Sequence, residues 1–186
     1  VPEGAERDLW AQLDNVYFQH QTADEIAWHG RHLFYRINGT APVVKARLER
    51  DGAGLQVFVY LPDQKDLFAR ICGFFGRASL SILEAKIHTT RHGWAPDTFA
   101  VHDPADPQAS YRETIQYVEF ELTRLLEQRP PLEPPPAGRI SRILKHRPLS
   151  PQIEIFPDDK GTHYILEIVA GDRRVVLDGG RGVQQQ

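Results

Sequence analysis

The sequence predicts an α+β fold, an antiparallel sheet with two helices on one face. Five runs of residues carry that prediction. Leu55, Val57, Val59 and Leu61 alternate with Gln56, Phe58 and Tyr60, a strand pattern. Leu67, Ile71 and Phe75 then fall at helical spacing, flanked by Phe68, Cys72 and Phe74. Two strand-like runs follow about the turn Arg91-His92-Gly93, and a second helical run holds Ile115, Val118, Leu122, Leu125 and Leu126.

The elements can be justified in order. Residues 5–20 read as a helix with Leu9, Leu13, Val16 and Tyr17 on one face. Thr22-Ala23-Asp24-Glu25 is a capping box: the Thr hydroxyl takes an orphan amide and the Glu reaches back. A short helix follows through Ile26, Trp28 and Leu33, and Asn38-Gly39-Thr40-Ala41-Pro42 ends the pattern. Residues 43–49 form a weak strand before the turn Asp51-Gly52-Ala53-Gly54. After the strand at 55–61, Pro62-Asp63 bends the chain into the first sheet-covering helix, where Gly73 and Gly76 are expected to allow close packing on the sheet. Ser81 to Thr90 is a second strand with Leu83, Ala85 and Ile87 pointing one way. Trp94 to Val101 is a third, and Pro96 inside it predicts a bulge or an unpaired edge. Ser110-Tyr111-Arg112-Glu113 caps the second long helix. Residues 130–138 are a stiff proline-rich linker, residues 140–156 one strand or two, and Thr162 to Val169 a further strand. The order β-α-β-β-α, a proline tie, then β, is that of the ferredoxin-like βαββαβ fold.

Composition narrows the function. The 186 residues are 41% hydrophobic with a net charge of −3, which offers no electrostatic case for a nucleic-acid or anionic-membrane partner. No apolar run approaches the about 20 residues that cross a bilayer. One cysteine excludes an internal disulfide and fits a reducing compartment, so a cytoplasmic location is expected. The absence of Met and the start at Val1-Pro2 suggest a piece of a longer protein.

The bend at residues 62–67 is the candidate site. A strand feeding a helix presents unpaired amides that favour a carboxylate or phosphate. Asp63 at that entrance either caps the helix or receives an ammonium group, and amides beside a carboxylate suit the zwitterionic end of a free amino acid. His102-Asp103 spells a phosphohydrolase metal pair, but it ends a strand before Pro104, without the further ligands such a site needs. His88 and His92 flank a turn and read as surface histidines, and Cys72 reads as a small core residue.

The stretch VYLPDQKDLFARICGFFGRASLSILEAKIHTTRHGWAPDTFAVHDP, residues 59–104, resembles the first ACT domain of the bacterial protein-PII uridylyltransferase/uridylyl-removing enzymes. ADEIAWHGRHL, residues 23–33, resembles the segment before it, and GRISRILKHRPLSPQIEIFPDDKGTHYILEIVAGDR, residues 138–173, the passage into the second. AKIHTTRHGWAPDTF is the most specific part. The resemblance implies a βαββαβ regulatory domain that senses glutamine, upstream catalytic domains that need Mg2+, the PII protein as partner, and ACT–ACT self-association. No cofactor is implied for this stretch itself. It implies the following organisation: residues 1–50 as a helical segment and connector after an HD-like domain, 51–128 as the ACT core, 129–157 as the tie and last ACT strand, and 158–186 as the truncated start of a second ACT domain. The implied ligand residues are Asp63, Gln64, Lys65, Asp66 and Leu67, with Ser81, Ile82 and Leu83 at the adjoining strand start.

Three departures stand out. The general ACT corner is Asp-x-Pro-Gly-Leu, and Asp66 stands here at the Gly place with a second negative charge. Pro96 occupies an unobstructed strand position of the family. Tyr164 to Val169, followed by Asp172-Arg173, repeats the strand-then-acid corner, but residues 174–186 lack helical spacing, as a frameshift or truncated frame would leave them. A structural module that dimerises through its sheet edges and binds nothing is the rival reading. A free-standing phosphohydrolase rests on His102-Asp103 alone.

Overall fold

A computed structural model describes residues 13, 15–34, 36, 39–50, 54–106, 111–132, 152–157 and 164–169. The chain forms two compact units, residues 1–133 with 178–186, and residues 134–177.

The first unit is a four-stranded antiparallel sheet in the order β1-β2-β4-β3. Its strands are β1 (Val43–Leu48), β2 (Leu55–Pro62), β3 (Ser81–Lys86) and β4 (Trp94–His102). Its helices are α1 (Asn15–His20), α2 (Ala23–Leu33), α3 (Leu67–Arg77) and α4 (Tyr111–Gln128). Helices α3 and α4 cover one face, as the ferredoxin-like pattern requires. Leu67, Ile71, Phe74 and Phe75 of α3 and Val118, Leu122 and Leu126 of α4 meet Leu55, Val57, Val59 and Leu61 of β2 and Phe99 and Val101 of β4. Each fully buried side chain of this kind contributes roughly 1.5–3 kcal/mol.

The opposite face of β2 is also dry. Phe58 and Tyr60 pack with Leu13, Tyr17, Trp28 and Leu33, and Trp94 stacks on Tyr60 at 4.8 Å. The N-terminal helices are therefore folded back on the sheet. Of the helix expected over 5–20, Asn15–His20 is observed, and residues 5–12 and 14 lie outside the described residues. The capping box is present: Thr22 Oγ1 accepts from the Glu25 amide at 3.3 Å, and Glu25 Oε2 from the Thr22 amide at 2.6 Å.

Several expectations are corrected. The strand beside β2 is β1, from residues before position 51, and not the one after the proline tie. Closing the short loop at 49–54 costs about 1 kcal/mol less chain entropy than recruiting a strand across the longer linker. The segment expected to supply the last ACT strand, β5 (Gln152–Pro157), instead pairs with β6 (Tyr164–Val169) in a separate two-stranded sheet. That hairpin, the second unit's observed structure, repeats the first: Val43 pairs with Tyr60 and Leu48 with Leu55, as Gln152 pairs with Val169 and Pro157 with Tyr164. The tail at 174–186 and the Ser110 cap lie outside the described residues.

Strand β3 stops at Lys86, not Thr90, and Leu83, Ala85 and Ile87 are exposed. A register shift between Ile82 and Glu84 turns this edge strand, so Ile82 reaches the core and Leu83 does not. Pro96 causes no bulge against β2, where it pairs with Tyr60. The ladder to β3 has already ended at Thr98, so the missing N–H falls where no strand calls for it. On the other edge, helix α4 blunts β1: Glu119 accepts from the Ala46 amide at 3.0 Å and from Lys45 Nζ at 2.8 Å.

The glycines of α3 do not serve close packing. A Cβ at Gly76 would meet nothing within 4 Å, and one at Gly73 only the Arg77 guanidinium at 3.4 Å. Gly54 is the tight position, where a Cβ would lie 2.5 Å from the Val101 carbonyl oxygen. Gly54→Ala should lower stability by about 1–3 kcal/mol. Gly76→Ala should raise it by about 0.5–1 kcal/mol. Urea midpoints of the two variants check both signs.

Candidate functional site

Helix α3 begins from a left-handed residue. Asp66 has φ 63° and ψ 18°, and its side chain makes no capping hydrogen bond. Asp is one of the few residues other than glycine that tolerate this region. Asp63 is not the cap. Its Oδ1 accepts from the Gln64 amide at 2.9 Å, and its Oδ2 from the Thr89 hydroxyl at 3.4 Å. Its own amide donates to the Gly93 carbonyl at 2.8 Å, which fastens the corner to the β3–β4 turn. Asp63 and Lys65 are exposed, Gln64 and Asp66 half-buried, and Leu67 buried in the core. The Gln64 Nε2 is buried without a hydrogen-bond partner.

Ser81, Ile82 and Leu83 are not part of this corner. Pro62 pairs with Trp94, whereas Ser81 pairs with His102 at the other end of β4. The eight-residue rise from Trp94 to His102 separates the two groups by roughly 25 Å of strand. The strand segment that does reach the corner is the C-terminal end of β3 and the residues after it, through Thr89.

Behind the corner lies a carboxylate that alternation alone did not single out. Asp97 of β4 is 1% exposed, on the face that α3 covers. Its Oδ1 accepts from the His88 amide at 3.1 Å. Burial raises its pKa from 3.8 to about 7; the Asp63 charge adds to the rise and the His88 amide opposes it. The same burial, with Asp97 nearby, pushes the Cys72 thiol up to about 11, so Cys72 is a poor nucleophile. Only its position inside an otherwise apolar alternation, Ala95-Pro96-Asp97-Thr98-Phe99, hints at Asp97 in the sequence.

A second polar group joins the N-terminal helices to the sheet. Glu25, 4% exposed, accepts from Gln56 Nε2 at 2.7 Å and from Lys86 Nζ at 2.8 and 2.9 Å. Burial drives its pKa up, but the Lys86 and Thr22 hydrogen bonds outweigh burial and leave it lowered. Four residues on, His29 is fully buried, stacked on Phe58 at 3.8 Å, with Nδ1 2.6 Å from the Tyr17 hydroxyl. Burial lowers the His29 pKa to about 3, so the ring is neutral near pH 7 and shares this hydrogen bond with the Tyr17 hydroxyl. Around them Arg47 lies 4.2 Å over the Trp28 ring and pairs with Asp24 at 2.8 Å.

Among the described residues no three His, Cys, Asp or Glu side chains gather as a metal ion requires. Asp103 of the His102-Asp103 pair accepts the Ala105 amide at 2.8 Å in a turn. Among the described residues no helix is long and apolar enough to cross a membrane.

Asp97 and His29 give opposite pH dependences. Asp97, with a raised folded pKa, stabilises fully below about pH 3.8, and that contribution is lost as pH rises through about 7. His29, with a lowered folded pKa, stabilises above about pH 6.5, and that is lost as pH falls towards about 3. Each shift corresponds to at most roughly 5 kcal/mol. Asp97→Asn, which keeps an acceptor for the His88 amide, removes one of the two. Its stability relative to the parent should grow between pH 5 and pH 8 in urea unfolding, and an unchanged difference would contradict the assigned burial.

The profile described as "Uridylyltransferase GlnD fifth domain" matches residues 1–32. The bifunctional uridylyltransferase/uridylyl-removing enzyme of Chromobacterium violaceum is 54% identical over 95% of this chain and 21% of its own length. Its namesakes in Aromatoleum aromaticum and Cupriavidus pinatubonensis are 52% and 49% identical over 94% and 92% of this chain, and 20% of theirs. No solved structure matches the chain. The chain spans about a fifth of the length of these relatives. Identity at this level along nearly all of its residues places the chain in the bifunctional uridylyltransferase/uridylyl-removing family, as the counterpart of that fifth.

Proposed function

We propose that this chain is a regulatory, glutamine-sensing ACT region of an enzyme that uridylylates and deuridylylates the PII protein, with the chemistry performed by other domains that use Mg2+. The family membership and the relatives' printed activities support the enzyme context. The sequence itself has no Asp-x-Asp pair for nucleotidyl transfer. The observation that carries ligand sensing is the corner, an α3 N-terminus with no side-chain cap, beside the exposed carboxylate of Asp63. Amides there suit the α-carboxylate of an amino acid, and Asp63 its ammonium group. Glutamine would shift the enzyme between activities only by binding two domain arrangements with different affinity.

The scaffold reading has its own support. Both Asp63 oxygens already accept hydrogen bonds, and Asp66 sets a second carboxylate where a ligand carboxylate would approach. Titration calorimetry separates the readings. Under the sensing reading, glutamine gives saturable heat at up to millimolar concentration, and Asp63→Asn weakens binding about tenfold, the equivalent of about 1.4 kcal/mol. Asp66→Gly strengthens it, and relief of the left-handed backbone keeps or raises stability by up to about 1 kcal/mol. A folded chain that gives no heat over this range is a scaffold.

A further inference from the structure

The corner and the N-terminal helices contact the same short segment from opposite ends. Thr89 donates to Asp63 at 3.4 Å, and Gly93 accepts from the Asp63 amide at 2.8 Å. Three residues before Thr89, Lys86 leaves the end of β3 and reaches Glu25 of α2 through both carboxylate oxygens, at 2.8 and 2.9 Å. The pair is nearly dry, with side chains 21% and 5% exposed.

Glu25 also closes one half of the α2 capping box, the half that takes the N-cap amide. The Oε2 that takes Lys86 also accepts the amide of Thr22, the N-cap. A shift of the 86–89 segment by about an ångström ends the two-oxygen contact, because hydrogen bonds fail quickly beyond their normal range. It would leave a buried carboxylate short of its counter-charge, which a protein interior tolerates poorly. The structure shows the contact closed, with α2 capped and seated on Gln56 and Phe58; an open state would have the contact broken and the first turn of α2 loosened. Helix α2 lies almost wholly within residues 1–32, the segment matched by the family's fifth-domain profile.

We propose that the Glu25–Lys86 contact is a latch that passes occupancy of the β2–α3 corner to helix α2, and so to the part of the enzyme to which α2 belongs. The proposal rests on the glutamine reading of the corner. Lys86 and Glu25 are positioning residues in it, touching no ligand.

Hydrogen–deuterium exchange of residues 23–33, with and without glutamine, is the test, run beside calorimetry on the whole chain. In the parent, glutamine should change exchange of the first turn of α2 by at least about threefold. Glu25→Gln keeps a residue able to complete the capping box but removes the charge. It and Lys86→Met should retain the heat of binding and lose the exchange response, and Lys86→Arg should restore it. The double change Glu25→Gln with Lys86→Met strands no charge and serves where a single one unfolds the chain. Heat of binding with no exchange response in the parent, or a full response in the variants, overturns the latch and leaves glutamine sensing intact. Absence of heat in the folded parent overturns both.

Discussion

Strand β2 is wet on neither side, and the architecture follows from that constraint. Leu55, Val57, Val59 and Leu61 require one apolar layer, and Phe58 and Tyr60 require another. A four-stranded sheet with helices on a single face would leave two aromatic rings in water. The segment that precedes the sheet resolves this by folding back, and Tyr17, Trp28 and Leu33 become the second layer. The one polar residue on that face, Gln56, is buried at 8% exposure and spends both ends of its amide, donating to Glu25 and accepting from Arg47 at 2.8 Å. The N-terminal helices are thus a structural requirement of the sheet as well as a connection to it.

Much of this was readable from spacing. The β2 alternation, the α3 and α4 stripes and the Thr22–Glu25 box all describe local geometry, which a linear sequence encodes directly. What spacing did not reveal depends on distant partners. Residues 43–48 have only a weak strand pattern, because α4 covers their outer edge and Lys45 and Arg47 point to polar partners. Leu83 and Ile87 look like core and are 64% and 47% exposed: Leu83 sits at the register shift of an edge strand, and Ile87 lies beyond the last residue of β3. The corner was legible as a bend and as a candidate site, but its internal contacts were not: the reach of Asp63 towards Thr89 and Gly93 depends on a turn some thirty residues away. Ser81 to Leu83 are neighbours of the corner in chain order and lie at the far end of the sheet in space.

The two buried carboxylates show two ways of keeping an acid inside a protein. Glu25 receives a cation and hydrogen bonds from the N-cap amide and the Gln56 side-chain amide, and remains charged. Asp97 receives one backbone amide and its proton stays on up to about pH 7. An interior of low polarity forces that choice, since an unpaired charge there costs several kcal/mol, typically more than a pKa shift of a few units. The charged solution is rigid and directional, and it sits at the junction of helix and sheet. The protonated solution is silent at low pH and sits beneath the corner.

The distribution of charge near the corner bears on how a ligand could act there at all. Asp63 and Asp66 both lie at the entrance, and Asp97 lies behind it with a pKa that the Asp63 charge helps to raise. An ammonium group placed on Asp63 would reduce that repulsion and make the Asp97 proton easier to lose. It would also compete for the oxygen that Thr89 holds, only three residues from Lys86. Under the proposed sensing role, a cationic group at this corner would act on the segment that carries the Glu25 contact through two routes, one electrostatic and one by direct displacement. A purely anionic ligand has neither, and meets two carboxylates on its approach. Under that role, a ligand that brings a positive group with its negative one, as a free amino acid does, fits this charge distribution better than a purely anionic one.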